Sequence, residues 1–175
     1  MVEVDYGPDI WLRDPIVDVD SQHAQEPVDE TTQGVPPGCE FSWFGVHGGA
    51  GATTLAALAG GVDVGRRWPN TAQGEPPDLL LVARTHAAGL TAVSQTLDLF
   101  RRGHQPEGLR IIAVVLVADA PGRVPRDLNK RIRIISSASS VFRIPWVPAW
   151  RRGEFAGNVP RELGVLTRKV GTPTQ

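Results

Sequence analysis

Phe41-Ser-Trp-Phe-Gly-Val46, His47-Gly-Gly-Ala-Gly-Ala-Thr-Thr54 and Leu55-Ala-Ala-Leu-Ala-Gly60 follow one another without a break. The first is a short apolar run rich in strand formers. The second is a glycine-rich turn, and the third a helix-forming segment stopped by Gly60-Gly61. Together they spell strand, glycine-rich loop, helix. Residues 62–77 read as turns, with Pro69, Asn70, Gly74, Pro76 and Pro77. Residues 78–83, Asp78-Leu-Leu-Leu-Val-Ala83, are apolar on both faces, as expected of a strand inside a parallel sheet. A helix is predicted over 87–102, where Leu90, Val93, Leu97 and Phe100 recur at helical spacing before Gly103. A strand over 109–117, apolar but for Arg110, a helix over 126–136, a strand over 141–144 and a helix starting near Pro160 complete the pattern. Strands alternating with helices predict a three-layer α/β domain with a mostly parallel sheet. Ligands of such sheets sit at the carboxyl ends of the strands, so the candidate loops follow Val46, Ala83, Val117 and Ile144.

The chain has 175 residues, 41% apolar and 21% charged, the balance of one globular domain. Its formal net charge of −1 hides a split. Residues 1–40 hold ten acids against Arg13, and residues 121–175 hold eleven bases against three acids. Residues 1–38, with five prolines and no sustained period, are expected to form a flexible acidic leader before a body at 39–175. Its charge suits it to screen the basic end. Cys39 is the single cysteine, so neither an intramolecular disulfide nor a cysteine zinc site is available. Met1-Val-Glu-Val-Asp5 lacks the charged and apolar regions of a signal peptide, and the longest apolar run, 111–118, is far too short for a membrane span. These features predict a cytoplasmic protein. Sixteen of the 18 basic residues are arginine, which suggests the codon supply of a GC-rich bacterium.

The glycine-rich stretch compares with the P-loop pattern G-x-x-x-x-G-K-[ST], in which backbone amides cradle phosphates, the lysine meets the β- and γ-phosphates and the hydroxyl holds Mg²⁺. Gly51 fits the second glycine and Thr53 the hydroxyl, but Val46 stands at the first glycine and Ala52 at the lysine. A dinucleotide-type reading, Gly49-x-Gly51-x-x-Thr54, lacks the third small residue that allows close helix packing and ranks lower.

The stretch resembles the deviant Walker A motif of the ParA/MinD family of P-loop ATPases, G-K-G-G-x-G-K-[ST]-T, at Gly48, Gly49, Gly51, Thr53 and Thr54. The family's two lysines fall on His47 and Ala52. Residues 78–84 with Gly89-Leu-Thr-Ala-Val93, residues 111–117 with Asp119, and Phe142-Arg-Ile-Pro145 resemble later family segments, so the likeness spans roughly residues 41–150. The resemblance implies a nucleotide site, ATP or ADP with Mg²⁺. His47, Gly48, Gly49, Ala50, Gly51, Ala52, Thr53 and Thr54 would form the cradle, Thr53 would hold the metal, and Asp119 and Pro145 would lie near the base. It also implies homodimerisation, a protein partner and nonspecific DNA binding. The family's two acidic positions after the P-loop helix are poorly represented: Asp63 is a remnant of the first, and the second has no counterpart. Loss of the lysine and of a switch acid removes the charge stabilisation that phosphoryl transfer depends on. The resemblance therefore implies a weakly nucleotide-binding or non-hydrolysing adaptor in partitioning, positioning or mobile-element biology, with a slow dimeric ATPase as the enzyme alternative.

Two readings of His47 stand: a partial substitute for the first lysine, and a strand-end residue bonded to a neighbouring loop. The basic end carries Arg123, Arg126, Lys130, Arg131, Arg151 and Arg152. It reads either as a solvated surface or as a polyanion site that gains affinity by counterion release. Trp146 and Trp150 flank it, as core-edge residues or as stacking surfaces.

Overall fold

The computed structural model describes residues 40–155 and 157–170. The expected acidic leader at 1–38, Cys39 and the last five residues lie outside the described residues. The sheet has five strands in the order β2-β1-β3-β4-β5, formed by Ser42–Gly45 (β1), Val62–Asp63 (β2), Asp78–Arg84 (β3), Arg110–Val117 (β4) and Val141–Ile144 (β5). Every pairing is parallel, so the sheet is wholly rather than mostly parallel. Among the described residues four α-helices accompany it: Ala52–Ala59 (α1), Ala87–Arg101 (α2), Arg126–Ala138 (α3) and Arg161–Val170 (α4).

The apolar runs explain the layering. Leu79, Leu80, Leu81, Val82 and Ala83 of β3 are all fully buried. The period-two alternation of a strand sends them to opposite faces. Leu79, Leu81 and Ala83 pack with Leu90 and Val93 of α2 and Ile132 and Ile135 of α3. Leu80 and Val82 pack with Trp43, with Leu55 of α1 and with Leu163 and Leu166 of α4. A strand that is apolar on both sides needs a helix layer on both sides, and two helices cover each. The register of β4 absorbs one extra residue, since Leu79 pairs with Ile111 but Leu80 with Ala113. Both Ile112 and Ala113 consequently face the α1/α4 layer. Such a bulge restores the inward alternation of the strand's second half.

Two expectations need correction. The stretch 62–77, read as turns, contains β2, which pairs Val62 with Ser42 and Asp63 with Trp43. A strand of two residues is too short to show a period. The first helix also begins three residues earlier than its apolar run, at Ala52, so Thr53 and Thr54 are helical. The rest of the connection is tied down by side chains. Trp68 stacks on Phe44 at 4.6 Å between ring centres and meets Phe100 edge-on at 5.8 Å. Glu75 pairs with Arg67 and accepts a hydrogen bond from the Asn70 amide at 2.6 Å. No helix of the described residues is long and apolar enough to cross a membrane.

Leu80→Ala removes a fully buried side chain from the central strand and should lower stability by about 2–5 kcal/mol in urea titration. Ile134→Ala, at a side chain 69% exposed, should stay within about 0.5 kcal/mol. The Glu75 carboxyl is held below the ordinary carboxylate range, chiefly by its hydrogen bond with Arg67. Its contribution is therefore present above the unfolded-state pKa and lost as pH falls through the folded-state value. Thermal unfolding should favour the wild type over Glu75→Gln at neutral pH, with the gap closing as acid protonates the folded-state carboxyl. A gap that persists in acid would mean that packing, not charge, holds this connection.

Candidate functional site

Strand order reverses between β1 and β3: the chain leaves β1 for β2 on one side and returns to β3 on the other. At such a switch point the loops diverge and leave a crevice at the carboxyl ends of the strands. The glycine-rich loop follows β1 at this point, and Arg84 ends β3 beside it. The Val46 amide donates to the Val82 carbonyl at 3.0 Å, which carries the β1–β3 pairing up to the loop.

The loop turns into α1 through Gly51, the residue before the helix, at φ 105° and ψ 12°. That left-handed conformation favours glycine. No side chain caps α1, and its first turn carries no acid. The first amides of a helix have no partner within it, and its N-terminus carries partial positive charge. This end of α1 is therefore suited to an anion.

Arg84 closes the crevice from the β3 side. Its Nε donates to the Gly49 carbonyl at 3.3 Å and its Nη1 to the Ala118 carbonyl at 3.0 Å. The guanidinium thus bridges the loops after β1 and β4. Burial lowers its pKa, Asp119 opposes that shift, and the nearby Arg151 adds to it. A cleft of about 60 Å³ lies over this bridge, lined by Gly51, Thr54, Arg84, Trp146, Trp150 and Arg151 among others. Arg151 sits over the Trp146 ring, 5.0 Å from its centre. Trp150 donates its indole N–H to the Asn158 carbonyl at 3.2 Å, which fixes that wall. A larger cavity of about 430 Å³ adjoins the cleft. It shares Ala118, Pro145 and Trp146 with the cleft and continues past Gly122 and Arg143 to Glu162.

The structure divides the residues expected at the cradle. Gly51 and Thr54 line the cleft, and the Gly49 carbonyl receives Arg84. Gly48 and Gly49 are exposed, while Ala50 and Ala52 are buried in the α1/α4 layer. The lysine position of the P-loop pattern is thus occupied here by a core methyl group. Thr53 is exposed and does not line the cleft. His47 lies behind the loop. Its Nδ1 is 2.8 Å from the Gly48 carbonyl, and its Nε2 accepts the Arg84 amide at 3.0 Å. This pattern assigns the ring proton to Nδ1. The strand-end reading of His47 describes these bonds: the ring joins the loop to β3. Its ring centre lies 4.9 Å from that of His86, whose Nδ1 accepts the Gly89 amide and caps α2. A Cβ at position 89 would overlap the Arg84 carbonyl oxygen and reach His47 Nε2 at 3.0 Å, so the α2 N-terminus approaches this junction only as glycine. Asp119 donates its amide to Thr85 Oγ1 at 3.1 Å, beyond the end of β4, and Pro145 lines both cavities.

The basic set is divided as well. Arg151 belongs to the cleft, and Arg152 is held by Glu154 through two hydrogen bonds of 2.7 and 2.8 Å. Arg123, Arg126, Lys130 and Arg131 are exposed along α3 and the loop before it, with Arg131 donating to Thr91 Oγ1 at 3.2 Å. Sequence reasoning missed Arg84 because an arginine at a strand end has no local signature. The usable signal was its position at the end of β3, the loop that the switch-point rule singles out. Asp63 lies on β2 and accepts the Gly65 amide at 2.9 Å. Among the described residues no group of three or more His, Cys, Asp or Glu is placed to hold a metal ion.

No curated protein and no solved structure matches the chain. The chain belongs to the family of unknown function DUF6668, whose model matches residues 41–170, from the residue before β1 to the end of α4.

Proposed function

We propose that this protein is a degenerate ParA/MinD-like P-loop protein that binds a nucleotide through its phosphate and acts as a non-hydrolysing adaptor. The observation that carries the reading is the meeting of the glycine-rich loop, the uncapped α1 N-terminus and the Arg84 guanidinium at the switch point of the sheet. Backbone amides and one cation supply anion recognition there without the P-loop lysine. The adjoining cavity has the size of a small-molecule site. Charge stabilisation of a transferring phosphoryl group needs a lysine, a metal and acids that orient it. Ala52 and the scarcity of acids at the crevice argue for binding without turnover.

Isothermal titration of ATP and ADP into the full chain should give binding that Arg84→Ala weakens by roughly 10–100-fold, the worth of a charged hydrogen bond. Circular dichroism checks the fold of the variant. Phosphate release should stay at background. Silence at millimolar ATP, ADP and nucleoside monophosphates alike would overturn nucleotide binding, and turnover lost in Thr53→Ala would establish the slow ATPase instead.

A second reading, nonspecific nucleic-acid binding, is favoured by the row of exposed bases Arg123, Arg126 and Lys130, for which no ion pair is recorded among the described residues. It predicts DNA affinity that falls steeply with salt. Arg126→Ala should lower the slope of log affinity against log salt by about one.

A further inference from the structure

We propose that the cleft takes one phosphate monoester group, held by Arg84 and Arg151 without a divalent cation, and that its ligand is a nucleoside monophosphate. The inference rests on the nucleotide reading above and narrows its ligand class. Arg84 donates to two carbonyl oxygens and makes no carboxylate pair among the described residues. Arg151 faces the Trp146 ring and likewise pairs with no carboxylate there. Two guanidinium groups on one small cleft leave an excess of positive charge, partly offset by Asp119, which acts on Arg84 without a hydrogen bond. A guanidinium presents a planar fork of donors that matches phosphate oxygens. A phosphate monoester carries about −1.5 to −2 charges at neutral pH, which answers two arginines.

Volume decides the length of the phosphate chain. The cleft offers about 60 Å³ and the adjoining cavity about 430 Å³. Only the second falls in the range of roughly 300–1,000 Å³ that accommodates a small organic molecule. The pair suits one compact anionic group joined to a ring-bearing body, not a triphosphate lying along the loop. Trp146 belongs to both walls, so a base or sugar that passes from one cavity to the other would meet it. Arg143 and Glu162 line the outer cavity and supply a donor and an acceptor to a base edge.

The residues present do not fit Mg²⁺. That ion requires near-octahedral oxygen ligation, typically from one or two carboxylates together with substrate phosphates. The hydroxyl expected to hold it, on Thr53, is exposed and outside the cleft lining. Asp63 has an oxygen engaged by the Gly65 amide. The charged residues lining the cleft are Arg84 and Arg151, which repel a cation.

The test is calorimetric titration of AMP, GMP, CMP and UMP, of ATP, of ribose 5-phosphate and of inorganic phosphate, each in EDTA and in MgCl₂. At least one monophosphate should bind with an affinity that Mg²⁺ leaves unchanged within about twofold, and more tightly than ribose 5-phosphate or inorganic phosphate. Arg84→Lys and Arg151→Gln should each weaken it by roughly tenfold or more while keeping the wild-type circular dichroism spectrum. ATP that binds only with Mg²⁺, and more tightly than every monophosphate, would overturn this inference and leave the nucleotide reading standing. Failure of every nucleotide to bind the folded wild-type chain would overturn both. Inorganic phosphate as tight as the monophosphates would overturn the nucleoside assignment.

Discussion

Parallel pairing of β1 with β3, in the register that sets Gly45 against Val82, brings the glycine-rich loop beside the end of β3. Parallel strands point their carboxyl ends the same way, so the loops that leave them converge. One hydrogen bond secures the junction from behind, from the Arg84 amide to His47 Nε2. Another secures it from the front, from the Arg84 side chain to the Gly49 carbonyl. The close approach of Gly89 to both partners brings the N-terminus of α2 to the same point. A residue on the backbone of β3 thereby controls where its own guanidinium lies relative to a loop 35 residues earlier.

That junction explains how a glycine-rich loop without a lysine has a cation beside it. Ala52 is packed into the α1/α4 layer, so a long side chain at this position would have to leave the core or displace it. The positive charge instead arrives from the neighbouring strand and from Arg151 in the segment after β5. A half-buried guanidinium that bonds only carbonyl oxygens has lost part of its hydration without meeting an opposite formal charge. Burial is the largest influence on Arg84, and it disfavours the charged form. An anion entering the cleft would offset that cost.

The elements legible in the sequence were those with long or repeated signals. The apolar runs of β3 and β4 declared buried strands, and the spacing of Leu90, Val93 and Leu97 declared α2. β2 escaped because two residues carry no period, and its existence depends on pairing with β1. Among site residues, Gly51 and Thr54 were legible through their motif, and both line the cleft. Arg84 was not, because nothing local distinguishes it from the exposed arginines of the chain. Arg151 and Arg152 are adjacent and identical in type, yet one lines the cleft and the other is held by Glu154.

By itself the sequence determined the α/β class, the strand–loop–helix opening and the absence of a lysine from the loop. These are local facts: hydrophobic period, glycine content and residue identity are properties of contiguous stretches. Only the tertiary structure decided which arginine serves the loop, which face of the sheet each helix covers, and that Thr54 rather than Thr53 lines the cleft. Those outcomes depend on strand order and register, which are set by burial of both sheet faces at once and join residues tens of positions apart.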